Sequence, residues 1–290
     1  MFTFLASSTI ETNTSFASLV LVSVVVLASA WLWHRYSNRA GERAPALKPD
    51  TFTRFRLVAK TVVSHNTRLF RFALPFPDQL LGLPPGQHVV LRARVPDAEE
   101  PILRPYTPVS KPETRGYFEL LVKVYPAPSG KMGRYLDALE PGRDFVEARG
   151  PSGTFSYQRN MVAELGMIAG GTGITPMWQL IQVILSDPSD KTRIKLIFAN
   201  VKEEDILLRS AIDAAAAQYA ERFTRFYVLN EPPAEWSMGI GFVTQEHIRS
   251  FIGLPDASKM VLICGPPPMN KAMREHLEAL GYDKAAVFRF

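Results

Sequence analysis

The stretch that most constrains the fold is Gly166-Met-Ile-Ala-Gly-Gly-Thr-Gly-Ile-Thr-Pro-Met177. Leu165, Met167, Ile168 and Ala169 form a short continuous apolar run, suited to a parallel strand covered on both faces. Gly170, Gly171 and Gly173 then permit a tight turn in which the backbone can approach a ligand with no Cβ in the way. Pro176 fits the first position of a helix through Met177–Leu185. Such a strand–turn–helix presents free N–H groups and the positive end of a helix dipole to a phosphate. The pattern is Gly-x-Gly-x-x-Pro rather than the dinucleotide fingerprint Gly-x-Gly-x-x-Gly, so taken alone it is also compatible with a mere change of direction.

The surroundings support an α/β domain. Strand-like runs at 165–169, 194–199, 223–229 and 260–264 alternate with helical patterns at 177–185, 205–219 and 270–280, the signature of a parallel sheet with crossover helices. The preceding part of the chain reads differently. Short strands at 55–59, 67–73, 88–93 and 117–125, separated by breaks such as Leu83-Pro-Pro-Gly86, predict a small antiparallel β-barrel with a helix near 132–139.

Upstream of both, residues 12–33 carry no charge, and residues 16–33 are strongly apolar. About 20 such residues cross a bilayer as a helix. Trp31, Trp33 and Tyr36 mark an interface, and Arg35 and Arg39 follow it, which puts the remainder of the chain on the cytosolic side. The alternative is a cleaved signal peptide ending near Ala28-Ser-Ala30, opposed by the missing basic leader. The expected organisation is therefore an anchor over 1–40, a linker over 41–50, a β-barrel over 51–160 and an α/β domain over 161–290.

Of the chain's 290 residues, 47% are hydrophobic and 21% charged, as in a globular protein. The net charge of +5 fits acidic partners or an anionic membrane surface. No Lys/Arg stripe with interleaved aromatics points to nucleic acid. The one cysteine, Cys264, rules out an intramolecular disulfide and suits a reducing compartment. No Cys/His cluster has metal-ligand spacing, and no Ser/His/Asp set has supporting local sequence.

Four short motifs carry chemistry. Arg104-Pro-Tyr-Thr-Pro-Val-Ser110 combines a guanidinium, a phenol and hydroxyls; in extended backbone Arg104 and Tyr106 share a face, a set suited to a pyrophosphate and an aromatic ring. It also reads as a proline-punctuated edge strand. Gly130-Lys-Met132 precedes the predicted barrel helix. The third motif is Gly170–Pro176. The fourth, Cys264-Gly-Pro-Pro-Pro-Met269, follows an apolar strand and sets the thiol at the strand's C-terminal end, where open α/β sheets bind ligands.

In this order and spacing the motifs resemble the NADH–cytochrome b5 reductases, a branch of the ferredoxin–NADP reductase superfamily, over nearly everything after residue 50. The resemblance implies FAD on the barrel and NADH on the α/β domain, with NADPH a weaker donor. It implies an enzyme that takes a hydride from NADH and passes single electrons to cytochrome b5, an acidic haem protein suited to a basic face with Lys131 and Arg134. Endoplasmic reticulum and mitochondrial outer membrane anchors look alike at this level. By motif position, Arg104, Pro105, Tyr106 and Thr107 would hold the flavin and its phosphates. Leu121, Lys123 and Tyr125 would line the FAD and dinucleotide sites, and Gly130, Lys131, Met132 and Gly133 would cradle an FAD phosphate. Gly171, Thr172, Gly173 and Pro176 would form the nucleotide turn, with Thr175 against the flavin. Cys264, Gly265, Pro266 and Met269 would lie beside the nicotinamide, Cys264 as a positioning group. Thr175, Lys123 and Cys264 would stand nearest the reaction.

Two positions depart from the family. Gly133 replaces the usual Ser or Thr, which implies one hydroxyl hydrogen bond fewer to FAD. Asn230, at the end of Phe226-Tyr-Val-Leu-Asn230, stands where Asp is usual; an aspartate there accepts from the ribose 2′-OH of NADH and repels the 2′-phosphate of NADPH. A narrower preference for NADH follows as an expectation. Two rival readings are the same fold with a quinone or a nitrate-reductase partner as acceptor, and a non-catalytic dinucleotide sensor.

Overall fold

A computed structural model describes residues 43–95 and 98–290. The expected anchor over 1–40 lies outside the described residues; among these, no helix is long and apolar enough to cross a membrane.

The first lobe is a six-stranded antiparallel sheet in the order β4-β3-β6-β1-β2-β5. Its strands are β1 (Thr53–Ser64), β2 (Thr67–Ala73), β3 (His88–Ala93), β4 (Ile102–Tyr106), β5 (Tyr117–Lys123) and β6 (Phe145–Ser152). The two ends of the sheet meet past β4, where Val109 N–H donates to the Glu119 carbonyl of β5 at 2.9 Å. Alternation fills the interior: Phe55, Leu57, Phe70, Phe72, Phe118 and Leu120 are all fully buried. Phe118 packs edge-on to Phe55 at 5.2 Å and stacks on Phe72 at 5.3 Å. Helix α1 (Lys131–Ala138) closes this core with Met132 and Leu136.

β4 carries Pro105, which is tolerated because the strand is an edge, in keeping with its proline-punctuated pattern. One strand of this lobe escapes the sequence pattern. β6 buries Val146, Ala148 and Gly150 in alternation, but its Gly150-Pro151 reads as a turn. The expected linker is also shorter than 41–50. Ala46 and Leu47 are buried in the first lobe and donate their N–H groups to Leu80 and Leu81 carbonyls, both at 3.1 Å.

The second lobe is a six-stranded parallel sheet in the order β10-β9-β8-β7-β11-β12. The strands are β7 (Glu164–Gly170), β8 (Arg193–Asn200), β9 (Phe223–Leu229), β10 (Gly239–Ile240), β11 (Lys259–Cys264) and β12 (Val287–Arg289). β7 lies between β8 and β11 and is buried along its whole length, which accounts for its unbroken apolar run. Its one acid, Glu164, is paired with Lys259 at 3.1 Å and Lys195 at 3.4 Å. Helices α2 (Ile174–Ser186), α3 (Arg209–Gln218) and α5 (Pro267–Ala279), with the short turn α4 (Gln245–His247), cover the sheet. α3 starts later than expected because Leu208 takes a left-handed conformation at its N-cap.

The lobes join through α2. Gln179 accepts from Gly86 N–H at 2.8 Å and donates to the Gln87 carbonyl at 3.2 Å. Gln182 donates to the Val109 carbonyl at 3.1 Å. Leu121, Val109 and Phe155 pack into the second lobe's core, and Phe155 meets Phe288 at 4.8 Å and Phe290 at 5.5 Å.

Candidate active site

The glycine turn and the end of β11 are built into each other. A Cβ at Gly173 would lie 2.0 Å from the Cys264 carbonyl oxygen, and one at Gly170 would lie 2.4 Å from Met269 Sδ. Gly265 is constrained the same way, 2.8 Å from that sulfur. Only glycine permits this contact. Gly171, at φ +54°, has nothing within 4 Å of its Cβ position and so opens outward. Gly171–Gly173 form a single tight helical turn that runs directly into α2, so the helix begins at Ile174 and Pro176 is its third residue, not its first. The ring is still accommodated, because the first turn needs no N–H there. Thr175 is buried, and its hydroxyl donates to the Thr172 carbonyl at 3.2 Å.

Cys264 ends β11 and is partly shielded; burial pushes its thiol up to about 11, so it stays protonated near neutral pH. Pro266 precedes α5, and Asn270 in its first turn donates to the Gly265 carbonyl at 2.8 Å. Asn270 Oδ1 is buried without a hydrogen-bond partner, an acceptor left over beside the Cys264-Gly265-Pro266 loop. An unpaired buried acceptor costs about 1–3 kcal/mol unless a ligand or water meets it.

β5 brings the first lobe to this turn and lies against Gly171–Gly173. Leu121 is buried there in the second lobe's core. Lys123 Nζ reaches Asp205 Oδ1 across the lobes at 3.4 Å. Beyond β5, Gly130 adopts φ +64° and caps α1 without any side-chain acceptor, so the helix opens with the N–H groups of Met132 and Gly133 in its first turn, where an anion can bind. A Cβ at Gly130 would lie 2.7 Å from Tyr125 Cβ, and one at Gly133 2.8 Å from the Lys123 carbonyl oxygen. Gly133 thus lets α1 settle onto the chain leaving β5. Tyr125 is exposed beside it, Lys131 is half-buried and Met132 is buried.

Arg104 and Tyr106 do share a face of β4, opposite Leu91 and Val89 of β3. Arg104 is exposed and spends one N–H on the neighbouring Leu103 carbonyl at 2.8 Å. Burial pushes the Tyr106 phenol up to about 12 despite the opposing Arg104 charge, which keeps it a neutral donor. Pro105 is exposed and Thr107 half-buried. The motifs therefore fall into three groups: the β7–β11 loops with β5, the start of α1 with Tyr125, and the β4 strand, which the Val109–Glu119 bond places next to β5.

Asn230 follows β9 and donates its side-chain amide to the Gly241 carbonyl at 3.1 Å, tying down the loop after β10. In that loop Phe242 is 81% exposed, an aromatic face that sequence pattern did not single out. Asp205, Gln179 and Gln182 were also missed. The two glutamines had a visible signal: polar residues three apart in the otherwise apolar stretch 176–185 of the helix. Asp205, in an acidic run, had none.

Residues 54–157 match the oxidoreductase FAD-binding domain family, and residues 167–275 the oxidoreductase NAD-binding domain family. The chain is 51% identical over 245 residues to NADH-cytochrome b5 reductase 1 of Dictyostelium discoideum, covering 84% of each chain. It is 45% identical over 264 residues to the protein of that name from Meyerozyma guilliermondii, covering 91% of this chain and 90% of the relative. Its fold is similar to the crystal structure of the cytochrome b5 reductase domain of Ulva prolifera nitrate reductase, with a TM-score of 0.81, 39% identity, and coverage of 86% of this chain and 100% of that one. With two lobes matched in order and relatives matched over most of their length, the chain belongs to the NADH–cytochrome b5 reductase family.

Proposed function

We propose that this protein is an FAD-dependent oxidoreductase that oxidises NADH and passes the electrons to cytochrome b5. The observation that carries this reading is the contact between lobes: β5 of the flavin lobe lies against the Gly171–Gly173 turn, which is itself pressed onto Cys264-Gly265. A donor nucleotide on the second lobe and a flavin on the first would therefore be neighbours.

The residues present fit both groups. For FAD, the start of α1 at Met132–Gly133, which has no side-chain cap, and the exposed Arg104 guanidinium supply donors for phosphates, and neutral Tyr106 supplies a hydrogen-bonding ring. Pro105 and Thr107 extend that wall, and Tyr125 provides aromatic surface, whereas Leu121 is buried between the lobes. When bound, FAD supplies the chemistry that accepts a hydride and releases electrons one at a time. For NADH, the open side of Gly171 and the orphan Asn270 acceptor mark the approach, with Thr172, Pro266 and Met269 as its rim. Phe242 offers a face on which an adenine can stack. The protein's own contribution is positioning. Thr175 is buried with its hydroxyl oriented by the Thr172 carbonyl, Lys123 is held by Asp205, and protonated Cys264 is a small wall beside the nicotinamide.

The chain's net charge of +5, with Lys131 and Arg134 near the flavin helix, supports an acidic haem protein as acceptor. The likeness to a nitrate reductase domain favours a second reading, in which the acceptor is the haem domain of another enzyme. The uncharged, apolar run 16–33 followed by Arg35 and Arg39 supports a membrane anchor with the catalytic lobes on the cytosolic side.

The test is the absorbance of the purified protein without oxygen. A bound flavin spectrum that bleaches on adding NADH supports the enzyme; a protein that binds dinucleotide but never holds flavin would be a sensor.

A further inference from the structure

The C-terminal edge of the parallel sheet holds an open cleft of about 600 Å³, lined by Lys202, Glu203, Glu204, Arg209, Glu231 and Pro232. The exits of β8 and β9 form it and are zipped together, with Asn230 N–H on the Asn200 carbonyl at 3.2 Å and Glu231 N–H on the Val201 carbonyl at 2.8 Å. Ligands of open α/β sheets bind at this edge. Asn230, at the family's acidic position, does not line the cleft; its amide is spent on the Gly241 carbonyl. Three acids do line the cleft: Glu203, Glu204 and the residue that follows Asn230, Glu231. Glu231 Oε2 lies 3.8 Å from Lys202 Nζ. The other cation, Arg209, is engaged by Glu203 and by Asp213, the latter at 3.7 Å.

We propose that Glu231, not Asn230, is the residue that discriminates against NADPH, by occupying Lys202 and setting a carboxylate where a 2′-phosphate would sit. The proposal rests on the dinucleotide reading given above. A ribose phosphate is close to dianionic at neutral pH. To use Lys202 it must displace Glu231 and then endure that carboxylate at close range, whereas an uncharged 2′-hydroxyl meets neither obstacle. Specificity built this way is a repulsive device as much as an attractive one.

The experiment is titration calorimetry of the FAD-loaded protein with ADP-ribose and with its 2′-phosphate, for wild type, Glu231→Gln, Lys202→Gln and the double variant. Glu231→Gln should tighten the 2′-phosphate about tenfold or more and leave ADP-ribose within about twofold. Adding Lys202→Gln should shrink the gain without removing the part due to direct repulsion, and salt near 1 M should shrink it further, since exposed charges are screened. A merely structural glutamate would shift both ligands together. If ADP-ribose binds but the ratio is unmoved by Glu231→Gln, Glu231 is not the discriminating residue, and a gain left undiminished by loss of Lys202 would overturn the part assigned to that lysine. If ADP-ribose fails to bind wild type at all, the dinucleotide reading falls and this proposal with it.

Discussion

The ammonium of Lys123 and the carboxylate of Asp205 meet at 3.4 Å across the two lobes, with side chains only 15% and 9% exposed. Asp205 is held in turn, because its second oxygen accepts from Lys202 N–H at 3.2 Å. One carboxylate thus links the end of β5, the turn after β8 and the lobe boundary. Water is largely excluded, so losing one partner leaves the other charge poorly solvated.

Asp205→Asn should therefore destabilise the flavin-loaded protein by about 1–3 kcal/mol. For a fold of this size that is a drop in melting temperature of roughly 3–10 °C. A thermal scan at fixed FAD concentration measures it; an unchanged midpoint would mean that the pair contributes nothing.

Gly133→Ser restores the residue type usual in the family, yet here it should weaken the protein. Its Cβ would lie 2.8 Å from the Lys123 carbonyl oxygen, a backbone atom that moves only if α1 moves. Overpacking of this kind costs about 1–3 kcal/mol, more than the gain of under about 1 kcal/mol from replacing a helical glycine. Melting temperature and FAD affinity should fall together. Tighter FAD binding in this variant would show instead that the helix yields and the hydroxyl reaches the cofactor.

How much of this was legible in the sequence follows from the range of each interaction. The run at 165–169 and the glycines after it are local signals, and both the central strand and the turn stand where periodicity and glycine chemistry put them. Strand β6 was hidden because Gly150-Pro151 mimics a turn. The Lys123–Asp205 pair spans 82 residues, and no local pattern encodes it. At Gly133 the sequence implied only a missing hydroxyl; the close approach of α1 to the Lys123 carbonyl is a tertiary fact.

Cys264 should be a slow thiol. With burial raising it to about 11, thiolate at pH 7.5 is scarce, and it grows with each pH unit until that value is passed. Alkylation by iodoacetamide should run roughly 100-fold slower than for a free thiol, whose pKa is about 8.5. The chain has a single cysteine, so mass spectrometry reads the rate directly. Labelling at the free-thiol rate would contradict the shielding.

Removing residues 1–42 should leave a flavin-binding protein with both lobes intact, whereas extending the deletion to Asp50 should cost roughly 2–4 kcal/mol. The difference is the buried Leu47 and Ala46 and their two backbone hydrogen bonds. Chemical denaturation of the two truncations compares them, and equal stabilities would return residues 45–50 to the status of a free linker.

The most direct test of the functional reading is a double-mixing stopped-flow experiment without oxygen. The FAD-loaded protein is first mixed with one equivalent of NADH, then with excess oxidised cytochrome b5. The expected result is loss of flavin absorbance in the first step, followed by two equivalents of reduced cytochrome b5 per flavin in the second, slowed by salt because the encounter is electrostatic. A flavin that NADH reduces but that leaves cytochrome b5 oxidised would contradict the assignment of the acceptor.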